Sequence, residues 1–394
     1  MTTQLRSAAA ALMAVLALTA CRSGPIASTS TLSASQVPAA IERASNASIP
    51  LASSSELAEI VGLMVQANRA VLEPGQRLAV RQLLERSAEE LAARGDDPDD
   101  LEDLLEAELP ARIAVPAGIR AARLYFERRD RADSFKALRR IDQLYPSHPY
   151  RQEAGELLFE IAEDYRGDKG RRFFIFKYSA RAPSVYEYLS AEYPTHEKTD
   201  DALFTLAEIY EDGRLFDVAI EKHLELIVWA QSSTYRIESE ADIPRLRLED
   251  LDGPEYGRDA MVRALSELEL WIESYGDHEL RPQVDRTLVD CLQRLADNDL
   301  VVARFYARIK NPAGARQHAD RGLTFARRAG NPEQIDEIVA FLEAVDEIER
   351  VDAPRLSPDQ LEVPDAFDPG GTGTTTPGDL VPGARVDEQA QEGR

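Results

Sequence analysis

Apolar positions recur at helical spacing along most of the chain. Ser53-x-x-Glu56 has the form of a capping box, and Leu57, Ile60, Val61, Met64 and Val65 follow on one helical face. A second helix is predicted over about 76–93. Asp97 and Pro98 then open a third, Asp97 as N-cap and Pro98 at the first helical position, with Asp99, Asp100 and Glu102 at the positive helix end. From about 113 to 350 the residues are almost all helix formers. The exception is a short ambiguous piece, RRFFIFKY, at 171–178.

Within that stretch a pattern repeats: a small residue, an aromatic three later, and a second small residue nine beyond the aromatic. Ala207, Tyr210 and Ala219 fit it, as do Ala303, Tyr306 and Ala315. Ala122 and Tyr125 fit with Ser134 in third place. Ala162 and Tyr165 fit the first half, and an insertion precedes Ala182. Pro146 and Pro194 close two of the units, because proline lacks an N–H and clashes with the preceding turn. Gly276 closes another, in WIESYG. Small residues let antiparallel helices approach closely, and the aromatic fills the gap to the next pair. One pair cannot bury its apolar face, so pairs stack. The spacing predicts an all-α tetratricopeptide-repeat solenoid of about five helix pairs over 113–350, with extra N-terminal helices over 53–112. The usual early Trp-x-x-Leu-Gly is missing, and the competing reading is an irregular helical bundle with alanine-rich seams. Segments 166–181 and 231–256 are read as insertions outside the repeat.

The two ends have a different character. MTTQLR precedes a charge-free run over 8–20, too short to span a bilayer as a helix and of the length of a signal-peptide apolar region. It ends Leu18-Thr19-Ala20-Cys21, which resembles the bacterial lipobox. That likeness implies a signal peptide over 1–20 and a lipid-modified Cys21, whose several acyl chains suffice for stable attachment. A cleaved signal followed by a chance cysteine is the alternative. Arg22 stands where an aspartate favours inner-membrane retention, so outer-membrane placement on the periplasmic side is expected. Residues 21–52 are rich in Ser, Ala, Thr and Pro and read as a flexible tether. Residues 351–394, with nine acids against three arginines, read as a disordered tail whose one aromatic is Phe367.

Charge and chemistry narrow the function. The net charge of −24 disfavours non-specific nucleic-acid binding, which needs clustered cations. Two cysteines exclude a disulfide scaffold, and Cys291 in TLVDCLQRLA reads as a buried, inert thiol. His148, His196 and His278 occur in YPSH, YPTH and YGDH. They share one inter-repeat turn, so stacking holds them roughly 20 Å apart, too far to share a metal. His223 and His318 lie on predicted second helices without an evident partner. The acids near DDPDDLEDLLEAE lack the ligand spacing of a calcium loop. The sequence has no GxSxG, P-loop or GxGxxG, and no cofactor or enzymatic activity is expected.

ALRRIDQLYPSHPYRQEA, AEYPTHEKTDDALFTLAEIY and ARFYARIKNPAGARQHADRGL resemble the BamD (ComL) family of outer-membrane lipoproteins over roughly 113–330. The resemblance implies a non-catalytic member of the β-barrel assembly machinery that contacts the barrel-forming subunit BamA and unfolded outer-membrane protein clients. A general envelope scaffold is the runner-up. The fifth unit turns at Arg308-Ile309-Lys310-Asn311-Pro312, where that family has Arg-Gly. In such solenoids the first helix of each pair lines the concave face. That places Ile119, Arg123, Phe126, Phe159, Glu163, Arg166, Phe204, Glu208 and Glu211 in a peptide groove. The resemblance implies clients on the first three repeats and BamA on the last two. The competing reading makes Phe159 and Phe204 simply core.

Overall fold

A computed structural model describes residue 26 and residues 29–167, 181–251, 253 and 257–352. Cys21, the 171–178 segment and the tail beyond 352 lie outside these residues. The described chain is an all-α solenoid, and no strand occurs among the described residues. Helices α1 (Val37–Asn46), α2 (Ser54–Asn68), α3 (Pro74–Arg94) and α4 (Pro98–Asp103) precede the repeats. Five antiparallel pairs follow: α5 (Ala111–Glu127) with α6 (Arg131–Leu144), α7 (Arg151–Gly167) with α8 (Ala182–Glu192), α9 (Thr199–Asp212) with α10 (Phe216–Trp229), α11 (Arg236–Glu249) with α12 (Arg258–Ser274), and α13 (Arg281–Arg308) with α14 (Pro312–Ala329). A closing helix, α15 (Pro332–Asp352), packs on α14.

The helix starts follow local chemistry. The Ser53 hydroxyl accepts from the Glu56 N–H at 3.3 Å, and Glu56 Oε2 accepts from the Ser53 N–H at 2.8 Å, which completes the capping box. The Asp97 carboxylate accepts from the Asp99 N–H at 3.1 Å.

The seam residues sit where the spacing put them. Ala122, Ala162, Ala182, Ala207, Ala219, Ala303 and Ala315 are all fully buried. Ser134 is buried too, and its hydroxyl donates to the Ala122 carbonyl at 2.7 Å. That satisfies a polar atom inside the seam. The turn within a pair is also conserved in geometry. Arg129, Arg214 and Lys310 each stand four residues after the repeat tyrosine and each takes a positive φ, of 66°, 58° and 61°. The next N–H donates back to the tyrosine carbonyl: Asp130 to Tyr125, Leu215 to Tyr210, Asn311 to Tyr306. Lys310 thus takes the left-handed backbone in the turn of the fifth unit.

Between pairs, a histidine organises the turn three times over. The His148, His196 and His278 N–H groups donate to the carbonyls of Tyr145, Tyr193 and Tyr275. Each Nδ1 accepts the N–H two residues on, from Tyr150, Lys198 and Leu280, at 3.1–3.2 Å. A ring nitrogen that accepts leaves the proton of neutral imidazole on Nε2. For His148 that N–H points at Asp142 (3.3 Å), and for His196 at the Gln152 carbonyl (2.9 Å). Asp142 also accepts from Tyr188 and Tyr193 at 2.7–2.8 Å. Burial works against its charge, but the bonds from His148, Tyr193 and Tyr188 outweigh it and hold its pKa below the ordinary value. Gly155 lies under the His196 ring, where a Cβ would come within 2.5 Å.

Three expectations need correction. The 21–52 tether is not wholly a linker: α1 occupies 37–46, and Ile26, Val37, Ala40 and Ala44 are buried. The N-terminal helices are continuous with the solenoid, because one apolar core runs from Ile26 to Leu206. The 231–256 segment contains α11, the first helix of the fourth pair. His223 and His318 do have partners. His223 Nδ1 lies 3.0 Å from Ser239 Oγ, and His318 Nδ1 lies 3.2 Å from Asp299. Asp299 is fully buried and is clamped by Arg258 (3.1 Å) and Arg321 (2.5 Å), which ties α12, α13 and α14 together. Cys291 is buried as expected. Its thiol donates to the Met261 carbonyl, and burial pushes its pKa up to about 12.

Enlarging Ala207 to Leu will overpack the α9–α10 seam and cost about 1–3 kcal/mol. A thermal melt coincident with that of the unsubstituted protein would show that the seam tolerates the added volume.

Candidate protein-binding surface

The first-helix face expected to form a groove is largely engaged in joining one helix to the next. Ile119 is in the core, so it is not a groove residue: it lies on the stripe of α5 that packs inward with Val115 and Ala122. Arg123 on α5 pairs with Glu160 on α7 at 3.3 Å. Arg166 on α7 pairs with Glu163 at 3.2 Å and reaches Glu208 on α9 at 3.9 Å. Glu211 on α9 takes both Nη atoms of Arg245 on α11, at 2.7 and 2.8 Å. Glu163 also accepts from the Tyr186 hydroxyl. The result is a ladder of charge pairs across four successive first helices. Single exposed pairs contribute little, ~0–1 kcal/mol, whereas the bidentate Arg245 fork adds geometric specificity.

The aromatic members are half-buried. Phe159 meets Tyr186 edge-on at 6.0 Å, with Lys198 Nζ 5.4 Å above its ring. Phe204 stacks on Tyr235 at 4.4 Å and takes the His223 ring edge-on at 5.8 Å. Phe126 packs against the N-terminal core. Glu208 is exposed. Of the nine expected residues, the eight besides Ile119 are exposed or part-buried, and most of them are engaged with neighbouring helices.

His223 sits behind that face, 2% exposed. Burial is the main cause that lowers its pKa, to about 4. The imidazole is neutral at physiological pH and supports the Phe204 ring without a charge.

The second helices hold apolar surface that the groove expectation did not include. On α10, Leu224, Val228 and Trp229 point outward, with Trp229 68% exposed. On α12, Leu270 is 63% exposed. Two clefts flank the α10 ridge. One, of about 520 Å³, is lined by Pro194, Leu203, Lys222, Glu225 and Trp229. The other, of about 380 Å³, is lined by Leu224, Ile243, Leu270, Trp271 and Tyr275 and rimmed by Arg236 and Glu240. Contiguous exposed apolar surface of this kind marks protein contacts. A sequence signal was present. FDVAIEKHLELIVW spends Phe216, Ala219, Ile220, His223 and Leu226 on the core and still has Leu224, Val228 and Trp229 left over. A helix apolar beyond one stripe has a second surface to cover.

No family model matches the chain, and no curated protein matches it. Among solved structures it is similar to a circular tandem repeat protein with novel repeat topology and enhanced subunit contact surfaces. The identity is 14%, over 80% of this chain and 86% of that one, with a TM-score of 0.26. So loose a superposition carries no argument about function.

The buried His223 makes stability depend on pH. Its ordinary pKa is 6.5 and its folded value is about 4, so between these the unfolded chain binds more protons. Stability will fall as pH drops from 6.5 toward 4, by at most ~1.4 kcal/mol per pH unit from this group. Urea midpoints at about pH 7 and about pH 5, compared between the unsubstituted protein and His223→Gln, will show a shallower slope in the variant. Equal slopes would mean that His223 is not the group responsible.

Proposed function

We propose that the chain is a non-catalytic scaffold lipoprotein of the bacterial outer membrane, held at the periplasmic face through Cys21. On this reading it belongs to the β-barrel assembly machinery and binds a BamA-like barrel subunit and outer-membrane protein clients. The observation that carries the reading is the α10–α12 apolar ridge with its two clefts, displayed on a stack of helix pairs. Such a surface binds protein: aromatic and aliphatic anchors between charged rims supply most of the energy at interfaces. The LTAC motif supports the anchor and the quoted repeat segments support the family. Folded partners suit the ridge. Extended client segments suit the first-helix face, where Phe126, Phe159 and Phe204 keep part of their rings open beside Glu208.

Two experiments test this proposal. Replacing Cys21 with Ser will release the mature chain from carbonate-washed membranes; retention of the variant would refute the lipid anchor. Crosslinking in the native envelope, followed by partner identification, will recover a BamA-like subunit with the unsubstituted protein. Recovery will drop with Trp229→Ala plus Leu270→Ser, both at exposed positions where melting temperature is expected to hold. Recovery of cell-wall or division proteins instead would establish the general envelope scaffold and remove the barrel-assembly reading.

A further inference from the structure

The corner between α2 and α3 is basic and bears exposed apolar side chains. Residues 69–81 carry three arginines against one glutamate, in a chain whose net charge is −24. Val71, in the linker, is 89% exposed, and Leu78, in the second turn of α3, is 60% exposed. Val80, Leu84 and Leu91 form the buried stripe of α3, and Leu78 lies about 160° from Val80 around the helix, on the outward side. Arg81 and Arg77 stand beside it, both on one side, about 60° and 100° away around the helix. Arg81 makes a solvent-exposed bond to Glu85, with 68% of its side chain open, so its guanidinium can be shared. An outward face that joins arginines to bare aliphatic side chains is the composition of an interfacial membrane contact.

On the lipid-anchor reading, the path of the chain brings this corner to the membrane. The Leu32 N–H donates to the Gln66 carbonyl at 3.3 Å, three residues before the corner begins. The N-terminal segment therefore joins the body at the α2 C-terminal end, the same end as Val71. The other end of the hairpin is marked by Ser54 beside Asp96 and by Arg94 bonded to the Ile49 carbonyl. Ile26 is already buried, five residues after Cys21. Five residues reach at most about 18 Å. A lipid on Cys21 would hold the folded body close to the bilayer, not at the end of a long leash.

We propose that the α2–α3 corner lies on the bilayer surface, with Arg77 and Arg81 against anionic phospholipid headgroups and Val71 and Leu78 in the interface. The proposal rests on the lipid-anchor reading for its orientation, but the lipid contact itself is separable. The corner fixes which end of the solenoid faces the membrane, so the α10–α12 ridge is presented at a set distance from it.

The test uses the full mature chain with Cys21→Ser, which has no lipid, in co-flotation with vesicles. It will float with phosphatidylcholine vesicles that contain phosphatidylglycerol, more weakly at high salt, and not with phosphatidylcholine alone. Arg77→Glu with Arg81→Glu will lower partitioning roughly tenfold or more, since each basic side chain near an anionic surface contributes ~1 kcal/mol. Val71→Ser with Leu78→Ser will lower it without removing the salt dependence. All four positions are exposed, and circular dichroism melts will verify that the variants fold. Equal flotation with both vesicle types, or no loss on charge reversal, overturns the proposal. Carbonate extraction of the chain with Cys21 intact, done in parallel, reports on the anchor alone, so the two failures are distinguishable.

Discussion

Everything in this molecule depends on two antiparallel helices being able to touch backbone to backbone. Alanine makes that possible: Ala207, Ala219, Ala303 and Ala315 are fully buried on helices that pack as pairs, and a methyl group is too small to hold the helices apart. The tyrosine one turn on then has a defined gap to fill. Its hydroxyl reaches a carboxylate in the preceding structural layer, Tyr125 to Asp99 on α4 and Tyr210 to Glu187 on α8. Close packing within a pair thus produces the contact between pairs. The His148 and His196 turns repeat the device at the other end of the helices, so each unit is registered on its neighbour at two heights.

Much of the fold was legible because the seam has so few solutions. Small–aromatic–small at fixed offsets has one physical use, and the alanines lie where the offsets put them. The failures have equally local causes. Helix α1 uses Ala40 and Ala44 as its buried stripe, and small residues give little periodic contrast in a Ser- and Ala-rich stretch. Helix α11, RIESEADIPRLRLE, interrupts its apolar spacing with charges and Pro244, and it joins the solenoid through Arg245 and Arg247 as well as through apolar area. The turn of the fifth unit has no glycine. The left-handed backbone there is set by the tyrosine carbonyl accepting from Asn311, and Lys310 tolerates it.

The candidate site was half legible. Helical spacing located the first-helix face, because a face is a property of one helix. It did not reveal that Arg123, Arg166 and Glu211 are matched to Glu160, Glu208 and Arg245, because pairing is a property of neighbours far apart in the chain. Ile119 failed for a related reason. Helix α5 packs on α3 and α4 as well as on α6 and α7, so its inward arc is wider than that of a helix inside a uniform stack. The α10 ridge was visible as surplus hydrophobicity once the core had taken its share.

Helix α13 has 28 residues, about 42 Å of rod, twice the length of α9. Its first half shares a core with α12 through Cys291, Leu292 and Leu295, and its second half shares another with α14 and α15 through Ala296, Leu300 and Ala303. Solenoids ordinarily fray from their last repeat, because each unit leans only on its neighbour. Here one continuous backbone ladder crosses the boundary between two cores, and the buried Asp299 is pinned from both sides of it. The α12–α15 block should therefore open as one cooperative unit, its amide protons exchanging with solvent together and not in sequence from the end.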